Sequence, residues 1–276
     1  MDAYQGHQFE QRAPHKPAPL GIGRYVFIDG PSGVGKSSLG AGLQRRISGG
    51  LVLPEYTDMV GEVASLKELC MPPSDAPVEV HTRAALMWSK VDLARRYMLY
   101  ANQYQNDCEV LSVVDTSPLM VIGFELIKER QGHPTPLTSI LKGYVTLVNE
   151  KEGDILMPDH WIFLYAKPET VQRRMLERGI ERIHPLLFQE SSISFFCSFY
   201  ESFRQHYLNP EEYSVVDTEV ASKIDVVNES LSCLPKSRKG SVGLMRFILD
   251  LYDARASGIV SLKLEKMRSA IANGKA

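Results

Sequence analysis

Residues 30–37 read Gly-Pro-Ser-Gly-Val-Gly-Lys-Ser and follow directly on the apolar run Tyr25, Val26, Phe27, Ile28. A glycine loop between a strand and a helix start aims backbone N–H groups and the positive end of the helix dipole at an anion. The spacing G-x-x-x-x-G-K-[ST] is that of a triphosphate-binding loop. Gly30, Ser32, Gly33, Val34, Gly35, Lys36, Ser37 and Ser38 are therefore the expected nucleotide contacts. Lys36 would reach the β and γ phosphates and Ser37 would hold Mg²⁺, so ATP is the expected co-substrate and magnesium the expected metal. Leu39, Leu43 and Ile47 give the following helix an apolar face.

Phosphoryl transfer is mostly a matter of positioning and of stabilising spread negative charge. Asp115, closing the apolar run 110–114, suits the part of a magnesium-holding acid; capping of the next helix through Thr116, Ser117 and Pro118 is the competing reading. Glu55 ends a short second strand; a carboxylate beside bound phosphates can position a hydroxyl and take its proton late in transfer, or else it simply faces solvent. Arg174, Arg178 and Arg182 recur every four residues and share one helical face. Folded over phosphates they would supply bidentate donors and exclude water; otherwise they form a solvated basic face beside Glu177 and Glu181. Trp88, Asp92 and Arg95, spaced by four and three, also share a face and are the expected acceptor wall. The alternative is a core tryptophan with Asp92 paired to Arg95 or Arg96 on the surface.

The elements that must position these residues alternate. Short buried strands are expected at 25–28, 51–53, 110–114, 161–165 and 213–216, with helices near 82–103 and 118–129 among the connections. That order predicts an α/β fold, a five-stranded parallel sheet with helices on both faces, whose ligands gather at the carboxyl ends of the strands. Residues 1–20 read as a mobile leader, 21–234 as the catalytic unit, and 235–276 as a linker and a C-terminal helical extension. Leu244, Phe247, Ile248 and Leu251 share a face that packs back on the domain or against another subunit, so a homodimer is possible.

Composition narrows the class. With 31 basic and 33 acidic residues in 276, nothing favours a nucleic acid polymer or a membrane as partner. Cys70, Cys108, Cys197 and Cys233 lack metal or disulfide spacing, no apolar stretch reaches membrane-spanning length, and the N-terminus lacks the order of a signal peptide. A cytoplasmic location is expected. A GTPase would carry D-x-x-G where Asp115 to Pro118 stand, and Ser222-Lys-Ile-Asp225 follows a polar segment rather than an apolar strand. A motor ATPase would place glutamate where Thr116 stands.

The stretch 24–232 resembles the thymidylate kinase and deoxynucleoside kinase group of P-loop kinases. The resemblance is carried by residues 28–37, and by 168–179, where Pro168-Glu169 opens a helix and Arg178-Gly179 leads into a lid; Glu181, Arg182 and Ile183 continue it. It implies a three-layer sandwich that moves the γ-phosphate of ATP to a nucleoside monophosphate or nucleoside, with Glu55 as the proton acceptor, Trp88 stacking on a base and the lid arginines on phosphate. A specialised small-molecule kinase and a nucleotide-binding regulator without transfer activity are the alternatives. Three positions depart from the group's pattern: Thr116 replaces an arginine that touches phosphate, Ser32 an acid that touches sugar, and Asp92 an arginine that reads thymine.

Overall fold

The computed structural model describes residues 22–60, 76–106, 110–179, 185–219 and 221–257. Strands β1 (Arg24–Asp29), β2 (Val52–Leu53), β3 (Leu111–Asp115), β4 (His160–Tyr165) and β5 (Tyr213–Asp217) form one sheet in the order β2-β3-β1-β4-β5. Every pairing is parallel. This is the five-stranded sheet expected from the alternation, with β1 at its centre because its residues are apolar on both sides. Tyr25 and Phe27 enter one core while Val26 and Ile28 enter the other, as the period of two requires.

The helices divide between the two faces. Helix α1 (Lys36–Gln44) covers the Val26 face with Leu39 and Leu43. Ile47 lies beyond its last residue and is half-buried against the same core. On the opposite face lie α3 (Val78–Asn106), α4 (Pro118–Arg130), α5 (Leu137–Asn149) and α8 (Glu190–Tyr207). A short α2 (Tyr56–Val60) follows β2, and α6 (Pro168–Glu177) and α7 (Pro185–Phe188) follow β4. Helix α9 (Lys223–Ser232) returns to the α1 face through Val226. It opens with a reciprocal cap between Ser222 and Asp225, so this pair serves the helix start.

The tail packs back on the domain, against α5 and α8. In α10 (Gly243–Ser257), Leu244, Phe247 and Ile248 are wholly buried in the larger core, where Phe247 meets Phe199, Phe203 and Tyr207 edge-on. The preceding 235–241 segment is tied down by backbone. The carboxylate of Asp159 accepts from Tyr25 N through Oδ2 (2.9 Å) and from Lys239 N and Gly240 N through Oδ1 (2.6 and 3.0 Å). Among the described residues no helix is long and apolar enough to cross a membrane. The expected leader, residues 1–20, lies outside the described residues.

Candidate active site

The phosphate loop leaves β1 through Gly30 and enters α1 through Gly35, with φ of 144° and 115°. Gly33 (φ 86°) passes so close beneath α6 that a Cβ there would lie 2.6 Å from Met175 Cγ and 3.3 Å from the Val171 carbonyl. The loop is a cradle that only glycine permits at this point. Lys36 is buried, and its ammonium donates to the Gly30 and Pro31 carbonyls at 2.9 and 3.2 Å. Val34 is buried, Ser32 and Gly35 are half-buried, and Ser37 and Ser38 are exposed on the first turn of α1.

The register places Asp115 opposite Ile28, one residue below the loop. Its carboxyl lies against the Ser37 hydroxyl; burial raises its pKa, opposed by nearby Lys36 and reinforced by Glu55. The competing reading of Asp115 as a helix cap is resolved by Ser117, which caps α4 instead: its Oγ accepts from Leu119 N at 3.1 Å. Ser37, Lys36 and Asp115 thus converge as the sequence implied. Glu55 stands at the end of β2, half-buried, and its carbonyl accepts from Asp58 N and Met59 N at the start of α2.

Thr116 joins these two carboxylates. Its hydroxyl lies 3.1 Å from Asp115 Oδ1 and 3.4 Å from Glu55 Oε1. Its backbone sits at φ 68°, a conformation that costs a β-branched residue about 1–3 kcal/mol.

The acceptor wall differs from expectation. Asp92 and Arg95 are completely buried. Asp92 Oδ2 accepts from the Tyr56 and Tyr144 hydroxyls at 2.6 and 2.8 Å, and Oδ1 faces Arg95 NH1 at 3.4 Å. The Arg95 guanidinium donates to the carbonyls of Pro54 (2.5 Å), Asp115 (2.9 Å) and Thr116 (2.8 Å) and lies 4.0 Å from the centre of the Tyr56 ring. Both side chains are spent on protein groups, so this pair fastens the ends of β2 and β3 from behind. The pairing named as Asp92's alternative is present, but inside the protein rather than on its surface. Arg96 instead pairs with Asp154 and Glu152. Only Trp88 of the expected trio retains an open ring: it is half-buried and meets Tyr56 edge-on at 5.3 Å.

Of the lid arginines, Arg174 is half-buried at the loop's rim. It donates to the Val34 carbonyl at 3.3 Å and to Thr218 Oγ1 and O at 3.0 and 2.5 Å. Arg178 is exposed just past α6, and Arg182 lies outside the described residues. Arg173, off the stripe, pairs with Glu177 at 3.1 Å on the surface.

Several residues at the site carried no role in the sequence reading. Asp29 ends β1 fully buried; Oδ1 accepts from Ser117 N at 3.2 Å while Oδ2 has no partner. Burial pushes its pKa from 3.8 to about 7, against the hydrogen bonds from Ser117 and the charge of Lys36. It precedes Gly30 directly, and its position on an otherwise apolar strand was the available signal. Tyr144 belongs to α5, whose Leu137, Ile140, Leu141, Tyr144 spacing is helical and was legible. Thr218 and Glu219 had no such signal. Glu219 accepts from Lys167 N and Thr170 Oγ1 at the start of α6, and Thr218 Oγ1 reaches the Val34 carbonyl at 3.2 Å.

Comparison with known proteins bears on the fold. No family model matches the chain, and no curated protein sequence does. Two solved structures of deoxyadenosine kinase from M. mycoides are similar. The one with bound dATP is 16% identical with a TM-score of 0.54, covering 75% of this chain and 97% of that one. The one with bound dCTP is 17% identical with a TM-score of 0.50, covering 76% and 100%. The chain shares the fold of these two structures.

Proposed function

We infer that the protein is an ATP-dependent kinase whose acceptor is the hydroxyl group of a nucleoside. The observation that carries this reading is the convergence of Lys36, Ser37 and Asp115 on one side of the strand ends and Glu55 on the other. A loop whose Gly30, Gly33 and Gly35 all hold positive φ at the start of α1 fits a triphosphate. Among the described residues no three acidic, histidine or cysteine side chains could cage a metal alone. That donor set fits magnesium, which takes one or two protein ligands and completes its shell with phosphate and water. Ser37 and Asp115 would hold it, and when bound with ATP it neutralises charge on the phosphate oxygens.

The chain's own residues would then divide the work. The loop amides and Lys36 orient the γ-phosphate. Glu55 positions the acceptor hydroxyl and takes its proton late in transfer. Trp88 offers an aromatic ring for a base, and Arg178, exposed just past α6, would fold over the phosphates, a part the sequence also proposes for Arg182. A monophosphate acceptor is disfavoured because the residue after Asp115 is uncharged and Arg95 is consumed by strand-end carbonyls. A second dianion would instead meet Glu55 and Asp115. The deoxyadenosine kinases of the same fold support a nucleoside as the acceptor class, and dependence on ATP supports the cytoplasm as the compartment.

The deciding experiment offers γ-labelled ATP with magnesium and a panel of nucleosides, nucleoside monophosphates and small hydroxylated compounds. Transfer to nucleosides alone, abolished in Lys36→Ala, is expected. Transfer only to monophosphates, or only to a non-nucleoside alcohol, or ATP binding without transfer to any of them, would each replace this reading.

A further inference from the structure

Thr116 is the one described non-glycine residue beside the phosphate loop that holds a left-handed backbone. It is completely buried, and each of its polar groups is engaged. Its N–H donates to the Ile28 carbonyl of β1 at 2.9 Å. Its carbonyl accepts from Arg95 at 2.8 Å. Its hydroxyl stands between Asp115 at 3.1 Å and Glu55 at 3.4 Å. A β-branched residue is a poor choice for this backbone conformation, where glycine or asparagine would rest more easily. The surrounding bonds from three elements over-determine the position, and what the residue contributes in return is a hydroxyl between two carboxylates.

Two like charges so placed repel one another, and the single proton of the Thr116 hydroxyl, shared between Asp115 Oδ1 at 3.1 Å and Glu55 Oε1 at 3.4 Å, offsets that repulsion. Glu55 is the more mobile of the two, being half-buried just past the end of β2, whereas Asp115 is buried against Ser37 with the charge of Lys36 nearby. We propose that Thr116 is a positioning residue for the transfer reaction: its hydroxyl bridges Glu55 to Asp115 and so fixes the proton acceptor at a set distance from the residue that would hold the metal. Arg95 supports the bridge from behind by binding the carbonyls of Pro54, Asp115 and Thr116, which joins the backbone of β2 to that of β3. The inference rests on the kinase reading and on Glu55 as its base.

Thr116→Val keeps the shape and removes the hydroxyl, Thr116→Ser keeps the hydroxyl and removes the methyl, and Thr116→Gly relieves the backbone and removes both. Steady-state kinetics on the full chain should show kcat lowered about tenfold or more in Thr116→Val and Thr116→Gly with KM for ATP unchanged, and Thr116→Ser within about twofold of the wild type. In the background Glu55→Gln, Thr116→Val should cost nothing further, because the bridge has lost its purpose. Wild-type kcat in Thr116→Val, or equal loss in Thr116→Ser and Thr116→Val, overturns the inference, as does full additivity with Glu55→Gln. Full activity in Glu55→Gln alone would remove the underlying assignment of the base. Thermal unfolding of each variant accompanies the kinetics, and a loss of kcat that tracks loss of folded protein also overturns it.

Discussion

At the scale of single residues, the site separates groups that face substrate from groups that hold others in place. Lys36 is the residue proposed for the first kind. Lys36→Ala should lower turnover by a factor of about 10² to 10³, because a charge aimed at the transition state is lost, and should also lower the unfolding midpoint, because the buried Gly30 and Pro31 carbonyls lose its hydrogen bonds. Asp92 belongs to the second. Asp92→Asn leaves the buried Arg95 without its counter-charge and should cost about 3 kcal/mol in denaturant unfolding. The ranking of acceptors in the residual activity should stay as in the wild type. A changed ranking would return Asp92 to the acceptor wall. Asp29 makes a prediction in pH. Its folded pKa is raised from 3.8 to about 7, so the folded state binds the extra proton and stability is fully present below about pH 4. It is lost as pH rises toward 7 and then levels off. Asp29→Asn removes that loss, so its melting temperature should exceed the wild type's at pH 8 by more than at pH 5; a pH-independent difference would contradict the assignment.

At the scale of elements, α6 is held at two points. Glu219 binds its first turn and Arg174 ties its middle to the Val34 carbonyl and to Thr218. Arg174→Ala should therefore raise the KM for ATP as well as lower kcat, since it frees the phosphate loop from the β5 side. Arg178, exposed beyond the helix, should show a fall in kcat of about tenfold alone. Equal effects on KM in the two variants would deny Arg174 its hold on the loop. These ties also mark what a sequence can and cannot show. The five strands and the phosphate loop were legible because short continuous apolar runs and glycine spacing are local signals, read within about ten residues. The α3 face of Trp88, Asp92 and Arg95 was legible as a face, but its direction was not. Whether Asp92 looks toward a cleft or toward Tyr56 and Tyr144 depends on residues 36 and 52 positions away. Thr218 reaching Val34 spans 184 positions and leaves no local trace.

At the scale of the whole molecule, the C-terminal helix is part of the core and not an appendage to it. Phe247→Ala should destabilise the protein by about 3–5 kcal/mol, as removal of a wholly buried aromatic ring does elsewhere. A loss under about 1 kcal/mol would mean that α10 is held only loosely. Asp159→Ala should release the 235–241 segment and lower the melting temperature without changing KM for ATP, because the carboxylate lies at the end of the sheet opposite the phosphate loop. A changed KM would reveal communication across the sheet.

The Asp159 clip has a consequence for how the protein is made. One carboxylate accepts from the amide of Tyr25, at the start of the first strand, and from that of Lys239. The ribosome delivers these two residues roughly 10–40 s apart at ordinary elongation rates of about 5–20 residues per second. From the synthesis of Tyr207 until that of Phe247, about 2–8 s later at those rates, the nascent chain carries the aromatic surface of Phe199, Phe203 and Tyr207 without Phe247 to cover it. Chains stalled after residue 234 should be cleaved rapidly by protease and retained by chaperones, whereas chains with residues 235–257 clear of the exit tunnel should resist. Equal resistance at both lengths would show that the sheet closes without its last helix.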